Sequence, residues 1–143
     1  METTLSAGQK AARTRKRRIA AQKAVQTRKT LGAFAKARAA EAASKEAFRS
    51  LCTETGWKVA FFESETGAPR NGIIDAVAFR LRHGKPDQLD LRLIQLKGGK
   101  AGASGAEIAR LKKAALDAEV DWLLANYDGE TLHILTGNAT AKL

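Results

Sequence analysis

Two short stretches of this 143-residue chain carry side chains that hydrolytic chemistry could use. Asp75 interrupts the otherwise apolar run from Ile73 to Phe79, and Gln95-Leu96-Lys97 closes a strand-like segment that begins at Leu89. A carboxylate in such a run costs on the order of several kcal/mol unless it is paired, hydrogen-bonded or bound to a metal. Alternation along a strand puts Gln95 and Lys97 on one face and Leu96 on the other. A hairpin joining the two stretches therefore brings Asp75, Gln95 and Lys97 together. That grouping suits phosphodiester hydrolysis: oxygen ligands hold Mg²⁺ or Mn²⁺ against the scissile phosphate, and a cation orients the attacking water or offsets developing charge. The plain structural alternative is a buried salt bridge from Asp75 to Arg92 or Lys97.

The elements that must position these groups follow from pattern. Residues 6–43 are Ala, Lys, Arg and Gln with few breakers, hence helix-forming, although Ile19, Val25, Leu31 and Phe34 make no dense apolar stripe. Ser44 is expected to cap a second helix over 44–55, with Ala47, Phe48, Leu51 and Cys52 on its core face and Gly56 as its stop. Strands are predicted over 57–63, 73–82 and 89–97, separated by a loop over 64–72 and a turn over 83–87. The Gly-rich segment 98–105 leads to a helix over 106–118, with Ile108, Leu111, Ala115 and Leu116 at helical spacing. A strand over 121–125, a turn over 126–129 and a strand over 131–135 complete the chain. The order helix, three strands, helix, two strands predicts a mixed α/β fold of one sheet with flanking helices, preceded by a basic arm over 1–43.

This layout, with Asp on the second strand and Gln-x-Lys on the third, resembles the PD-(D/E)xK nuclease superfamily, which includes type II restriction enzymes and Holliday-junction resolvases. The similarity covers about residues 44–126. Gly72-Ile73-Ile74-Asp75-Ala76-Val77-Ala78-Phe79 looks like the strand bearing that family's metal-binding Asp. Ile94-Gln95-Leu96-Lys97 looks like its (E/Q)xK strand in the Gln form of Mrr-like endonucleases. The resemblance implies a restriction-endonuclease-like core over 44–143. It also implies a metal held by Asp75, Gln95 and the Leu96 carbonyl, Lys97 as catalytic cation, and Glu46 as the extra acid of resolvase-like members. Glu63 and Glu65 are further acids available to such a metal. The activity implied is that of a DNA endonuclease or resolvase acting as a homodimer.

The charge distribution points to the same class of partner. Residues 1–50 hold 13 Lys+Arg and 3 Asp+Glu, whereas residues 51–143 hold 12 of each, so the formal charge of +10 lies wholly in the first third. Clustered cations displace counterions condensed on phosphates, which makes nucleic acid the leading partner, DNA ahead of RNA. The densest patch is Arg13, Arg15, Lys16, Arg17 and Arg18; a solvated solubilising tail is the bland alternative. Arg70, Arg80, Arg82 and Lys100 are expected to extend the basic surface toward the site. The amides of residues 105–108 could hold a phosphate at a helix N-terminus or merely follow a flexible connector.

Several classes are excluded. No apolar run reaches the ~20 residues needed to span a bilayer, so no membrane partner is expected. Neither a GxxxxGK[ST] loop nor an HExxH pair is present. Cys52 is the only cysteine; it excludes a disulfide framework, fits a reducing cytoplasmic setting and is read as core packing. His133 is read as an ordinary strand residue. A non-catalytic nucleic-acid-binding protein on the same fold is the alternative to a nuclease.

Overall fold

Helix formers run unbroken through the sequence on both sides of Ser44, and the backbone follows them. In the computed structural model, which describes residues 6–63 and 72–137, helix α1 extends from Ala7 to Glu54. It opens on a reciprocal cap: Gln9 N–H donates to Ser6 Oγ at 3.3 Å and Ser6 N–H donates to Gln9 Oε1 at 3.0 Å. It closes where expected, at Gly56 (φ +74°), with the amides of Gly56 and Trp57 donating to the carbonyls of Thr53 and Cys52. Ser44 is no cap but an interior, buried residue. Its hydroxyl donates to Ala40 O at 2.9 Å and to Lys97 O at 3.0 Å, so it has no need to end a helix.

The chain divides into two compact units, Met1–Arg38 and Ala39–Leu143, with α1 contributing to both. The first unit, over its described residues, is helix exposed along its whole length with no Asp or Glu from Ser6 to Arg38. The second is an α/β unit with a mixed five-stranded sheet: β1 Lys58–Phe61, β2 Ala76–Arg82, β3 Lys85–Gly98, β4 Asp121–Tyr127 and β5 Leu132–Thr136, in spatial order β1-β2-β3-β4-β5. Pairings are antiparallel except β3 with β4, which are parallel and joined by α2 (Gly105–Asp117). A parallel pair requires such a crossover.

The β2–β3 hairpin turns more tightly than the predicted turn over 83–87. Arg82 pairs with Lys85 after a register shift, so only His83 and Gly84 (φ +73°) form the bend, and Pro86 lies within β3 near its start. The predicted turn over 126–129 moves to the segment after Tyr127, because Asp128 Oδ1 accepts from the amides of Glu130 and Thr131; Asn126 stays in β4.

Each sheet face carries its own core. On one, Phe48 and Cys52 of α1 and Trp57 pack with Ala76, Ala78, Ile94, Leu123 and Ala125. On the other, Leu111 and Ala115 of α2 pack with Trp122, Leu124, Leu93 and Ile108. Leu116, expected in that core, is 78% exposed because it lies about 100° around the helix from Ala115. Among the described residues no helix is long and apolar enough to cross a membrane.

Small residues let α1 approach the end of β3. A Cβ added at Gly98 would lie 3.0 Å from Ala40 O, 3.1 Å from Ala40 Cβ and 3.1 Å from Ser44 Oγ. Gly98→Ala is expected to destabilise the fold by about 1–3 kcal/mol, read as a lower urea midpoint at unchanged slope.

Candidate functional site

Strand β2 begins at Ala76, one residue after Asp75, while β3 continues past the point where its partner starts. Asp75 leaves the regular ladder, but its backbone is bonded on both sides: its N–H donates to Ile94 O and its C=O accepts from Phe62 N–H, both at 2.8 Å. Its side chain then replaces the missing strand. Leu96 N–H donates to Asp75 Oδ2 at 2.8 Å, which joins the two halves of the Asp…Gln-x-Lys pattern directly. In a strand the N–H and C=O of one residue point to the same side, so the Leu96 carbonyl is also directed toward Asp75. Burial pushes the Asp75 carboxyl pKa up, against the Leu96 amide and Lys97, which pull it down.

The Asp75 amide bonds the carbonyl of Ile94, which is already the partner of Ala76, so Asp75 sits in a bulge beside the Ile94–Leu96 segment and not in register with Gln95. Gln95 is 4% exposed, and its Oε1 is buried with no hydrogen-bond donor. Lys97, on the same face of β3, is close enough to act electrostatically on Asp75. Its ammonium, however, bonds the Glu107 carboxylate of α2 in a short ion pair. Glu107 is also the third residue of a capping box: Glu107 N–H donates to Ser104 Oγ, and Ser104 N–H donates to Glu107 Oε2 at 2.8 Å. The Lys97 contact first, and then the Ser104 amide and hydroxyl, lower the Glu107 pKa to about 2. The N-terminus of α2, one candidate for holding a phosphate, thus already faces a carboxylate of its own chain.

The acid that α1 brings toward Asp75 is Glu41, not Glu46. Ser44 and Phe48 mark the buried stripe of the helix, and the electrostatic field at Asp75 includes Glu41, which raises its pKa, and Lys45, which lowers it. Lys45 bonds Glu41 at 2.9 Å and Glu63 at 3.4 Å, contacts that raise its own pKa. Glu46 lies about 200° around the helix from Ser44 and pairs with Arg49 at 2.6 Å on the exposed side.

The arginines expected to extend the basic surface are elsewhere. Arg80 and Arg82 sit toward the hairpin turn, at the opposite end of β2 from Asp75. Both bond Asp90, Arg82 at 2.8 Å and Arg80 at 3.5 Å, which lowers the Asp90 pKa. Arg92 is buried with its guanidinium 4.4 Å from the Trp57 ring centroid, so the salt bridge from Asp75 to Arg92 does not form. Lys100 is exposed in the turn after β3. Arg13, Arg15, Lys16, Arg17 and Arg18 are exposed on the first unit, whereas Arg70 and Glu65 lie outside the described residues. Cys52 is buried, and desolvation pushes its thiol up to about 11, which keeps it an unreactive core residue. His133 is exposed and bonds Asp128 at 2.8 Å.

Three functional candidates escaped the sequence reading. Glu107 carried a signal, the S-x-x-E spacing of Ser104 and Glu107. Glu41 carried a weaker one, seven residues before Phe48 and so on a similar side of a helix. Asn126 carried none: it is Lys97's neighbour only through the parallel register of β3 and β4, and its Oδ1 is buried without a donor.

Among the described residues no three His, Cys, Asp or Glu side chains gather as a metal cluster. The oxygens carried by this part of the sheet are the Asp75 carboxylate, bonded to the Leu96 amide, the orphaned Gln95 Oε1 and the Leu96 carbonyl. All are hard donors, and the unpaired Gln95 oxygen has the character a cation would satisfy, so the set fits Mg²⁺ or Mn²⁺. Comparison with known proteins finds no matching family model, no matching curated protein and no matching solved structure.

The raised pKa of Asp75 has a definite sign for stability. Its ionised form is penalised in the fold; the penalty is complete above the folded pKa and vanishes below the unfolded one. Asp75→Asn keeps an oxygen for the Leu96 amide and removes the penalty. Its melting temperature is expected to rise at neutral pH. Calorimetry on both chains from about pH 7 down to about pH 3 should show the gain shrinking as the native carboxyl protonates.

Proposed function

We propose that this chain is a metal-dependent nucleic-acid phosphodiesterase of the PD-(D/E)xK kind, a DNA endonuclease or resolvase. The observation that carries the reading is the 2.8 Å bond from the Leu96 amide to Asp75, which draws the Asp and Gln-x-Lys elements into one site at the open end of β2. The arrangement of helix, antiparallel three-strand meander, crossover helix and parallel fourth strand supports a restriction-endonuclease-like core.

In this reading Asp75, Gln95 and the Leu96 carbonyl hold Mg²⁺ or Mn²⁺. Such an ion, when bound, acidifies its water and polarises a phosphoryl oxygen. The chain's own groups do the rest. The Leu96 amide fixes the Asp75 carboxylate, so it need not reorganise when substrate arrives. Lys97 supplies positive charge beside the scissile phosphate to offset what develops during in-line displacement by water. Glu41 adds negative charge near Asp75 that the paired Lys45 largely offsets. The exposed cations of the first unit, Arg13, Arg15, Lys16, Arg17 and Arg18, grip the phosphate backbone. Cutting both strands of a duplex calls for two such sites, hence a homodimer.

One observation favours the alternative, a binding protein without catalysis: the Lys97 ammonium is already neutralised by Glu107. Cleavage separates the two. Plasmid, branched DNA and single strands incubated with Mg²⁺ or Mn²⁺ are expected to be cut by the wild type, with Lys97→Ala slower on the order of 10²–10³-fold and Asp75→Asn inactive. Equal behaviour of all three chains would leave only the binding protein. Separately, changing Arg13, Arg15, Lys16, Arg17 and Arg18 to Gln should flatten the dependence of log K on log salt by about 0.9 for every duplex-DNA phosphate that is no longer neutralised, measured by fluorescence anisotropy.

A further inference from the structure

Lys97 has beside it, on the same face of the sheet, a second acceptor that nothing uses. In the parallel pairing of β3 and β4, Lys97 stands beside Asn126, and neighbours in such a pair project from the same face of the sheet. Gln95↔Leu124 and Leu93↔Trp122 fix which face this is, since Leu93, Trp122 and Leu124 pack with α2. Glu107 reaches Lys97 from the first turn of the same helix. Lys97 therefore has α2, whose carboxylate holds its ammonium, on one side, and the amide residue of β4 as its neighbour in register. Asn126 Oδ1 is buried and receives no hydrogen bond. A buried acceptor without a donor is destabilising and is retained only where something repays it. The ammonium has three donors to give.

We propose that Asn126 is a positioning residue that gives Lys97 a second, neutral seat. On Glu107 the ammonium is ion-paired and offers little net field to an approaching phosphate. On Asn126 Oδ1 it is held by a single hydrogen bond and keeps its full positive charge, because the amide is neutral. Lys97 thus has a stored position and a working position, one on each side, and the orphaned oxygen is the mark of the working one. When Glu107 releases the ammonium it gives up its strongest contact, on Oε1, but its other oxygen stays held by the Ser104 amide and hydroxyl.

This inference rests on the hydrolase reading for its purpose but not for its test. In the full chain labelled with ¹⁵N-lysine, the Lys97 Nζ resonance is identified by its loss in Lys97→Arg. Glu107→Gln preserves the capping box, and Asn126 is expected to keep the Nζ protons protected from exchange in that variant. In Glu107→Gln combined with Asn126→Leu the resonance should vanish into solvent exchange. A resonance that persists in the double variant overturns the seat, whatever the chain cuts. Asn126→Leu alone should melt at or above the wild-type temperature, having shed an unsatisfied polar atom, yet lower kcat for DNA cleavage about 10- to 100-fold at unchanged KM. Asn126→Asp should keep the Nζ protons protected while remaining slow, because its charge neutralises the ammonium as Glu107 does. Wild-type kcat in either Asn126 variant also overturns the proposal. A wild type that cuts nothing, with the resonance behaving as stated, removes the hydrolase reading and leaves the second seat standing.

Discussion

Where β2 stops and β3 continues, an amide is left without a strand to bond, and the Asp75 carboxylate takes it. That single contact ties together the features around it. It offsets part of the desolvation that raises the pKa of this half-buried carboxyl. It also fixes the direction of the Leu96 carbonyl, and it keeps the two conspicuous polar stretches of the sequence within one turn of chain in space. Backbone bonds to Ile94 and Phe62 on either side leave Asp75 little freedom to turn elsewhere.

Around this contact the charges alternate. Asp75 feels Lys97 and Lys45 as favourable and Glu41 as unfavourable; Lys45 in turn is shared by Glu41 and Glu63, and Lys97 is held by Glu107. The two helices approach from opposite faces of the sheet, each bringing an acid toward the end of β3. On the α1 side the approach is close because Ala40, Ser44 and Gly98 are small and the Ser44 hydroxyl bonds the Lys97 carbonyl. The site is thus a place where a backbone end effect, two helix packings and a strand register meet. It lies at the carboxyl ends of the parallel pair β3 and β4.

The pairing of Asp75 with Gln-x-Lys was legible because it depends only on a hairpin, the most local long-range contact a chain can make. Strand alternation and a Gly-containing bend were enough to set it. Gly56 as a helix stop and the apolar face of Phe48 and Cys52 were legible for the same reason, being read within a few residues. Ser44 misled because its usual role at a helix start is local, whereas its actual partner, the Lys97 carbonyl, is distant in sequence. Glu46 misled because an acid on a helix says nothing of the helix's rotation, and that rotation is fixed by Ser44, Phe48 and Cys52 facing the sheet. Arg80 and Arg82 counted as free cations in the sequence, yet the antiparallel register hands both to Asp90.

By itself, the amino-acid order determined the five strands and the crossover helix, the concentration of positive charge in the first third, and the approach of Asp75 to the Gln-x-Lys strand. These follow from periodicity and composition, which act over a few residues. Only the tertiary structure decided that α1 passes uninterrupted through Ser44, that Glu41 and Glu107 rather than Glu46 surround the site, and that Asn126 stands beside Lys97. Those facts depend on the phase of two helices against a sheet and on a parallel register set by a crossover. Both are fixed by packing between segments far apart in the chain.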